Sequence, residues 1–477
     1  MQARADGALL PGMDYVIEPA SRPLRGLVPV PSDKSIGHRA LLLGAVARGP
    51  SLLRGFSYGG DNVSTLTAMR ALGASLDDDG QGNVSIAGCG LRGLRATAGP
   101  IDCGHSGTTM RLLAGLLAGQ TFASVLVGDE SLGRRPMARV AAPLRRRGAA
   151  IEGAFHPTQA GEITAPLTVG PLKPKARLSG CEEALAVASD QVKGALLLSG
   201  LYADGNTYVS EPLVSRDHTE RLLHALGVPL HTVGTLVELN VEGWSGELEP
   251  FTIEVPGDLS AAAFLFVAAQ IVPGSEVGVR RCGLNPTRAG LLDILRDTGA
   301  GLSVEQRGDE LGEPLGDVIA APGEGRAFRA GGELLLRAID EVPALCALAA
   351  RSRGVTVIAD AAELRANESD QLAAMAEILR AFGVACEEQP DGLVIEGRPE
   401  GPLRAADVES RGDHRVAMAA TLLALAAGGP SRVRDVACVG TSFPRFAGTL
   451  RALGASVRAE PARQKGAEEV VVRSGSR

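Results

Sequence analysis

Polar and charged side chains cluster at the starts of six strongly apolar segments of this sequence. These starts lie at 33–39, 104–111, 189–193, 257–258, 340–341 and 413–415. If the segments are helices, their N-termini present free N–H groups and the positive end of the helix dipole, so these side chains could bind an anion. Serine, threonine and aspartate also cap helices, and capping is our interpretation of Asp258 and Thr109.

Capping does not explain the cations in the first turns. A cation opposes the dipole at this end of a helix, so it lowers stability unless an anion completes the site. A second group of polar side chains precedes the alternate helices, at 134–135, 215–216, 288 and 364–371. We expect the two groups to surround a site for anionic ligands. The first-turn cations are Lys34, Arg39, Lys193 and Arg415.

The helices that carry these side chains belong to a sixfold repeat. A sequence motif such as LRALGAS recurs. Its glycine lies where a residue in the left-handed conformation would end a helix before the next strand begins. A second series of helices alternates with the first and is apolar on every side, which indicates burial. A β-like run follows each apolar helix, so the unit reads strand, helix, strand, helix, strand, strand, and the fold class is α/β. The glycines are Gly73, Gly148, Gly227, Gly299, Gly383 and Gly454.

Two similar segments, 225 residues apart, indicate that the six units form two lobes. VPSDKS (30–35) and VPGDLS (255–260) share a proline and an aspartate at the same offsets, and each opens an apolar helix. We therefore predict a first lobe of three units over 33–253 and a second lobe of three units over 1–32 plus 254–477. Two crossover strands, near 30–32 and 254–257, would form the hinge.

The composition limits the classes of function. The chain has 477 residues, of which 45% are hydrophobic, so it can bury a large core. A net charge of −7 and an aromatic content of 3% argue against a protein that coats nucleic acid or an anionic membrane. The seven cysteines are scattered, and no apolar stretch reaches the roughly 18 residues of a membrane span, so we expect a cytoplasmic protein. The histidines form no ligand cluster, so we expect no metal.

Together the motifs resemble the 5-enolpyruvylshikimate-3-phosphate synthase family of enolpyruvyl transferases, over about residues 15–460. The resemblance implies two lobes, each with three repeats packed around buried helices, that close on their ligands. The repeat count above was obtained independently and agrees. The motifs are PSDKSIGHRALLL, DCGHSGTTMRLL, GDESLGRRPM, SDQVKGALLL, SRDHTERL, PGDLSAAAF, IDEVPAL, LRANESDQ, SRGDHRVAMA and TSFPRF.

The resemblance also implies a reaction. The enolpyruvyl group of phosphoenolpyruvate would pass to the 5-hydroxyl of shikimate 3-phosphate, through a tetrahedral intermediate that expels phosphate. This step belongs to the shikimate pathway, which leads to chorismate and the aromatic amino acids, and it needs no cofactor. We expect a monomer whose partners are these two small molecules, with no nucleic acid and no membrane.

The family's motifs, matched position by position, imply roles for individual residues. Asp340 would be the base for the attacking hydroxyl, and Glu368, with Lys34, would handle the proton at the phosphoenolpyruvate methylene. Cationic helix ends around two polyanions, with carboxylates on either side of the new bond, suit this chemistry. The implied shikimate 3-phosphate ligands are Lys34, Ser35, Arg39, Ser189, Asp190, Gln191, Ser215, Arg216, Asp340 and Asn367. The implied phosphoenolpyruvate ligands are Lys34, Gly107, Thr108, Arg135, Gln191, Gln371 and Arg415.

Two cations of the family pattern are replaced here, by Asn367 and Gln371. The pattern has a lysine immediately before Glu368 and an arginine three residues after it. That arginine would pair with the carboxylate of phosphoenolpyruvate, and a charged hydrogen bond contributes about 1.5–3 kcal/mol. We therefore expect weaker phosphoenolpyruvate binding. We also expect reduced sensitivity to glyphosate, which occupies the same site in this family.

Three other positions depart from the pattern. Ser32 replaces the usual glycine, His105 the usual asparagine, and Asp190 a usual small residue. Asp190 is the most unexpected, because it places a negative charge where shikimate 3-phosphate should dock.

Three functions remain open from the sequence. We favour an authentic synthase, because the implied catalytic and phosphate-binding residues are otherwise present. An enolpyruvyl transferase with a UDP-amino sugar acceptor shares the fold, but it usually carries a reactive cysteine in the loop corresponding to 121–140, where this chain has none. A non-catalytic relative that binds a phosphorylated ligand is supported only by the two missing cations.

Overall fold

The computed structural model describes residues 12–156, 158–173, 175–366 and 369–462. Its helices alternate with short strands along the whole of this part. The helices are α1 (Lys34–Val46), α2 (Gly60–Ala71), α3 (Gly107–Leu117), α4 (Ala138–Arg146), α5 (Asp190–Gly200), α6 (His218–Ala225), α7 (Leu259–Ile271), α8 (Gly290–Asp297), α9 (Gly332–Leu336), α10 (Val342–Arg351), α11 (Gln371–Ala381), α12 (His414–Leu425) and α13 (Phe446–Leu453).

The strands are short and regularly spaced. They are β1 (Met13–Ile17), β2 (Arg25–Val28), β3 (Arg48–Arg54), β4 (Ser75–Asp78), β5 (Val84–Cys89), β6 (Ile101–Asp102), β7 (Ser124–Val127), β8 (Ile151–Phe155), β9 (Ile163–Val169), β10 (Cys181–Ala184), β11 (Thr207–Ser210), β12 (Leu230–Val233), β13 (Leu236–Leu239), β14 (Thr252–Glu254), β15 (Glu276–Gly283), β16 (Gly301–Glu310), β17 (Glu313–Ala321), β18 (Arg329–Ala330), β19 (Val355–Ile358), β20 (Ala385–Gln389), β21 (Gly392–Glu396), β22 (Asp407–Glu409), β23 (Ser431–Arg434) and β24 (Val457–Pro461).

Within the described residues these strands form six four-stranded mixed sheets. In the first lobe the spatial orders are β14-β3-β5-β4, β6-β7-β9-β8 and β10-β11-β13-β12. In the second lobe they are β16-β17-β15-β2, β18-β19-β21-β20 and β22-β23-β1-β24. In each sheet one outer strand pairs in parallel and the remaining pairs are antiparallel. The predicted α/β class with six repeated units is confirmed.

Two separate hydrophobic cores lie inside the sheets. The helices that the sequence analysis found apolar on all sides, α1, α3, α5, α7, α10 and α12, are buried along nearly their whole lengths. The alternate helices bury only one face against them. Each alternate helix is followed by its predicted glycine in the left-handed region, with φ between +78° and +113°. One core contains residues from 36 to 255, and the other contains residues 15–24 together with residues from 259 to 457.

The lobes meet where the two crossover segments run side by side. Ser32 pairs with Gly257 in an antiparallel bridge, and the amides of Asp33 and Asp258 each donate to a carbonyl of the opposite segment, at 2.8 Å. Asp33 and Asp258 cap α1 and α7. The buried guanidinium of Arg288 pairs with both carboxylates, so one side chain connects the first helices of the two lobes.

In the part of the chain that the structure describes, helices are too short or too polar to cross a lipid bilayer.

Candidate active site

A cavity of about 210 Å³ lies between the lobes, where the N-termini of α1, α3, α5 and α12 converge. The structure brings together twelve of the residues that the sequence analysis assigned to ligands. They are Lys34, Ser35, Gly107, Thr108, Arg135, Ser189, Asp190, Gln191, Ser215, Arg216, Asp340 and Arg415. Helix N-termini are suited to anions, so this convergence favours a negatively charged ligand.

Asp340 is held between two arginines from opposite lobes. Its carboxylate oxygens lie 2.6 Å from Nη2 of Arg216 and 2.9 Å from Nη2 of Arg415. Burial alone would raise the pKa of Asp340, but Arg216, Arg415 and Lys34 together hold it well below its usual range. The carboxylate is therefore ionised, and it offsets one of the two positive charges that it contacts.

Lys34 also has a carboxylate partner. Its Nζ lies 3.0 Å from Oδ2 of Asp61, in the first turn of α2, and its side chain keeps 22% exposure to the cavity. Asp61 was not identified from the sequence, because acidic residues at the start of an amphipathic helix commonly stabilise the helix dipole and need no other role. The ammonium is thus positioned by the protein and still accessible to a ligand.

Three guanidinium groups crowd one wall of the cavity. Arg111 from α3 and Arg139 from α4 join Arg135, which follows a 3₁₀ turn. Burial, and then the charges of Arg135 and Arg139, lower the pKa of Arg111 to about 10. A Cβ on Gly107 would lie 3.0 Å from Nη1 of Arg111 and 3.4 Å from Nη1 of Arg135, so a glycine there leaves room for both groups. An anion bound at this wall would relieve the repulsion among the three cations.

His105 connects Arg135 to Asp129. Its Nε2 lies 3.2 Å from Nη2 of Arg135, and its Nδ1 lies 2.7 Å from Oδ2 of Asp129. Arginine can only donate, so Nε2 accepts in this hydrogen bond and Nδ1–H donates to the carboxylate. The Asp129–His105 pair therefore orients the guanidinium of Arg135 towards the cavity.

Gln191 bridges two helices at the same wall. Its Oε1 accepts from Nη1 of Arg111, and its Nε2 donates to Oγ1 of Thr108 at 3.2 Å. Glu363, from the 3₁₀ turn Ala362–Ala366, completes the cavity from the second lobe. Burial raises the pKa of Glu363, although Arg139 opposes this shift. The sequence analysis missed Arg139 and Glu363, since an isolated charge in a helix or loop of so arginine-rich a chain usually faces solvent.

Lys193 does not reach the cavity. It is 2% exposed, and its Nζ lies 2.8 Å from Glu211 and 2.7 Å from Glu220. The expectation that a bound anion completes each first-turn cation is wrong here, because two protein carboxylates do so. Glu211 also accepts from the Ser189 amide at 2.7 Å and from the Ser215 hydroxyl at 2.8 Å, so this buried network positions two cavity serines.

Arg39 also lies behind the cavity wall. It is 1% exposed, and its Nη2 donates to Oδ2 of Asp190 at 2.9 Å. The structure therefore interposes Asp190 between Arg39 and the cavity, whereas the family pattern assigns Arg39 to a ligand directly.

Comparison with known proteins shows the family. The family model of EPSP synthase (3-phosphoshikimate 1-carboxyvinyltransferase) matches residues 19–450. The chain belongs to the EPSP synthase family. It is 47% identical to the 3-phosphoshikimate 1-carboxyvinyltransferase of Geobacter metallireducens, over 91% of this chain and 97% of that protein. The corresponding figures for the Alkalilimnicola ehrlichii protein are 48%, 91% and 94%. The solved EPSP synthase of Acinetobacter baumannii superposes with a TM-score of 0.82 at 38% identity, covering 94% of this chain and all of that chain.

Gln371 stands where the family pattern has an arginine, and the structure shows its surroundings. Gln371 begins α11, is 1% exposed, and donates from Nε2 to Oδ2 of Asp413 at 2.8 Å. It lies behind the wall of the cavity. Asn367 and Glu368 lie outside the described residues.

Arg365, the arginine nearest in sequence, does not replace the missing cation. Its Nη1 lies 2.9 Å from both Asp370 and Glu388, and its other nitrogens donate to backbone carbonyls of residues 389 and 390. The Arg365 guanidinium is therefore held by residues of the second lobe and not by the cavity.

Proposed function

We propose that this chain transfers the 1-carboxyvinyl (enolpyruvyl) group of phosphoenolpyruvate to the 5-hydroxyl of shikimate 3-phosphate and releases phosphate. The observation that carries the proposal is the cavity itself: cations from both lobes and four helix N-termini converge on it, and the ionised carboxylate of Asp340 lies between Arg216 and Arg415. Two polyanionic substrates match that charge distribution. Two relatives that are 47% and 48% identical to this chain are named 3-phosphoshikimate 1-carboxyvinyltransferases, and these names support the same reaction.

The motifs of the family assign these residues to the two substrates. Gly107, Thr108, Arg135 and Arg415, with Gln191, would hold phosphoenolpyruvate, and the guanidinium wall would take its phosphate. Arg111 and Arg139 add charge to this wall. Shikimate 3-phosphate would lie against Ser35, Ser189, Gln191, Ser215 and Arg216, with Lys34 between the two substrates. A charge-assisted hydrogen bond to phosphate is about twice as strong as a neutral one, so the arginines dominate binding.

Asp340 would act as the base for the attacking hydroxyl. With Arg216 and Arg415 paired to it, its carboxylate is too weakly basic to accept a proton readily. Substrate anions that pair with these arginines release Asp340 and raise its pKa towards a useful value. Binding of both substrates thus prepares the base, and Glu368, with Lys34, would handle the proton at the methylene carbon.

The lobe boundaries belong to the same proposal. We place the first lobe at 33–253 and the second at 1–32 plus 254–477, of which 1–11 and 463–477 lie outside the described residues. The pairing of β14 with β3 and of β2 with β15 supports crossovers at these points. We further propose that the enzyme is a cytoplasmic monomer that closes on its substrates about this hinge.

The test is phosphate release from phosphoenolpyruvate by the purified protein, with and without shikimate 3-phosphate. We expect turnover only with both substrates, and loss of turnover in Asp340→Asn. Asp204→Asn removes the same charge from an exposed site on the first lobe and should leave the rate unchanged. Turnover with a UDP-amino sugar instead, or with neither acceptor even in Gln371→Arg, would refute the proposal.

A further inference from the structure

Asp190, the first residue of α5, pairs with a cation that a substrate would otherwise meet. Its carboxylate lines the cavity, and its Oδ2 lies 2.9 Å from Nη2 of the buried Arg39. Helix capping does not account for this residue, because the Ser189 hydroxyl already caps α5 by accepting from the Val192 amide. The position of Asp190 is therefore better explained by its contact with Arg39 than by helix capping.

The other two nitrogens of Arg39 also donate to the protein. Nε donates to Oγ1 of Thr219 at 2.7 Å, and Nη1 donates to the Ser35 carbonyl at 3.0 Å. Nη2 donates to the carboxylate of Asp190, which lines the cavity, and Arg39 itself is only 1% exposed. Burial alone would raise the pKa of Asp190, but Arg39 and Arg216 together lower it, so this carboxylate is charged.

We propose that Asp190 is a specificity-determining residue that occupies the anion position at Arg39 and so weakens binding of the anionic acceptor. The inference rests on the proposed function, since it concerns the shikimate 3-phosphate side of that site. An incoming carboxylate or phosphate must either displace Asp190 from Arg39 or lie beside a second negative charge. Both alternatives reduce affinity, because like charges in a desolvated cavity are only weakly screened.

The test uses two substitutions at this position. Asp190→Asn keeps the shape and a hydrogen-bond acceptor for Arg39 but removes the charge, and Asp190→Ala removes the side chain beyond Cβ. We expect Asp190→Asn to bind shikimate 3-phosphate about tenfold more tightly by titration calorimetry, because the anionic ligand no longer meets the negative charge of Asp190 and displaces a neutral amide from Arg39 more readily than a carboxylate. The KM for shikimate 3-phosphate should fall in parallel, while the KM for phosphoenolpyruvate should change by less than about threefold.

A control variant and a second measurement show whether a change in affinity is specific to Asp190. Asp204→Asn, an exposed aspartate of the same lobe outside the cavity, should leave both KM values unchanged. If Asp190→Ala is destabilised, the rise in melting temperature caused by shikimate 3-phosphate still reports affinity, and it should be larger than in the unsubstituted protein.

The outcomes separate this inference from the proposed function. If the unsubstituted protein turns over shikimate 3-phosphate and a folded Asp190→Asn binds it no more tightly, the inference is wrong and the function stands. If neither the unsubstituted protein nor the variants bind or turn over shikimate 3-phosphate, the proposed function fails and this inference falls with it.

Discussion

Restoring the family's arginine with Gln371→Arg tests how this site binds phosphoenolpyruvate. Gln371 is buried against Asp413, and its Oε1 has no hydrogen-bond partner among the described residues. Asp413 also accepts from the amides of Arg415 and Val416, so it lies at the N-terminus of α12 beside a cavity arginine. A guanidinium at 371 reaches further than the amide, and it can keep a bond to Asp413.

The expected change in the binding free energy of phosphoenolpyruvate combines one favourable contribution with a desolvation cost. A hydrogen bond between charged groups contributes about 1.5–3 kcal/mol. The new guanidinium must leave water, and Asp413 shares it, so the lower limit is appropriate. The substitution also removes the unpartnered buried oxygen of Gln371, which offsets part of the desolvation cost. A gain of about 1.5 kcal/mol corresponds to roughly a tenfold lower KM for phosphoenolpyruvate.

The assay is steady-state phosphate release at saturating shikimate 3-phosphate. Gln371→Met supplies the control, since it fills a similar volume without charge and should not lower the KM for phosphoenolpyruvate. Inhibition by glyphosate should become more potent in Gln371→Arg, because its carboxylate gains the same partner. A folded Gln371→Arg protein whose KM for phosphoenolpyruvate is unchanged or higher would refute the reasoning.

Three further predictions concern the supporting network. His105→Ala should raise the KM for phosphoenolpyruvate about three- to tenfold in steady-state kinetics, because Arg135 loses the group that orients it; an equal rise for shikimate 3-phosphate would contradict this. Glu211→Gln should lower the free energy of unfolding by about 1–3 kcal/mol in urea titrations, since Lys193 loses one of its two buried carboxylates; no change would show that the network contributes nothing to stability. Asp340→Asn should be less stable than the unsubstituted protein at pH 7, and the difference should shrink as the pH falls below about 4. The sign follows from the depressed pKa of Asp340, which stabilises the fold above the unfolded-state value and ceases to do so as the carboxylate is protonated; a difference that is constant with pH would exclude this linkage.

The repeat could be predicted from sequence because its determinants are local. A helix that is apolar on every side must be buried wherever it lies, and Gly454 ends its helix with φ at +113° because a left-handed residue costs glycine little. The partners of the cations could not be predicted in this way. Lys34 and Asp61 are 27 residues apart on two helices of one repeat, and Arg39 and Asp190 are 151 apart on helices of different repeats, so only tertiary packing brings each pair together.

The first-turn cations differ in how readily each could bind a ligand, because they differ in their carboxylate partners and their exposure. Lys193 has two buried carboxylates and is 2% exposed, so its charge is neutralised within the protein. Lys34 pairs with Asp61 and keeps 22% side-chain exposure to the cavity, so a ligand can still reach its ammonium. Arg39 is 1% exposed, and it pairs with Asp190, a carboxylate that lines the cavity. The type of residue at a helix start therefore indicates where an anion could bind, whereas its burial and its contacts in the folded protein decide whether a ligand can reach it.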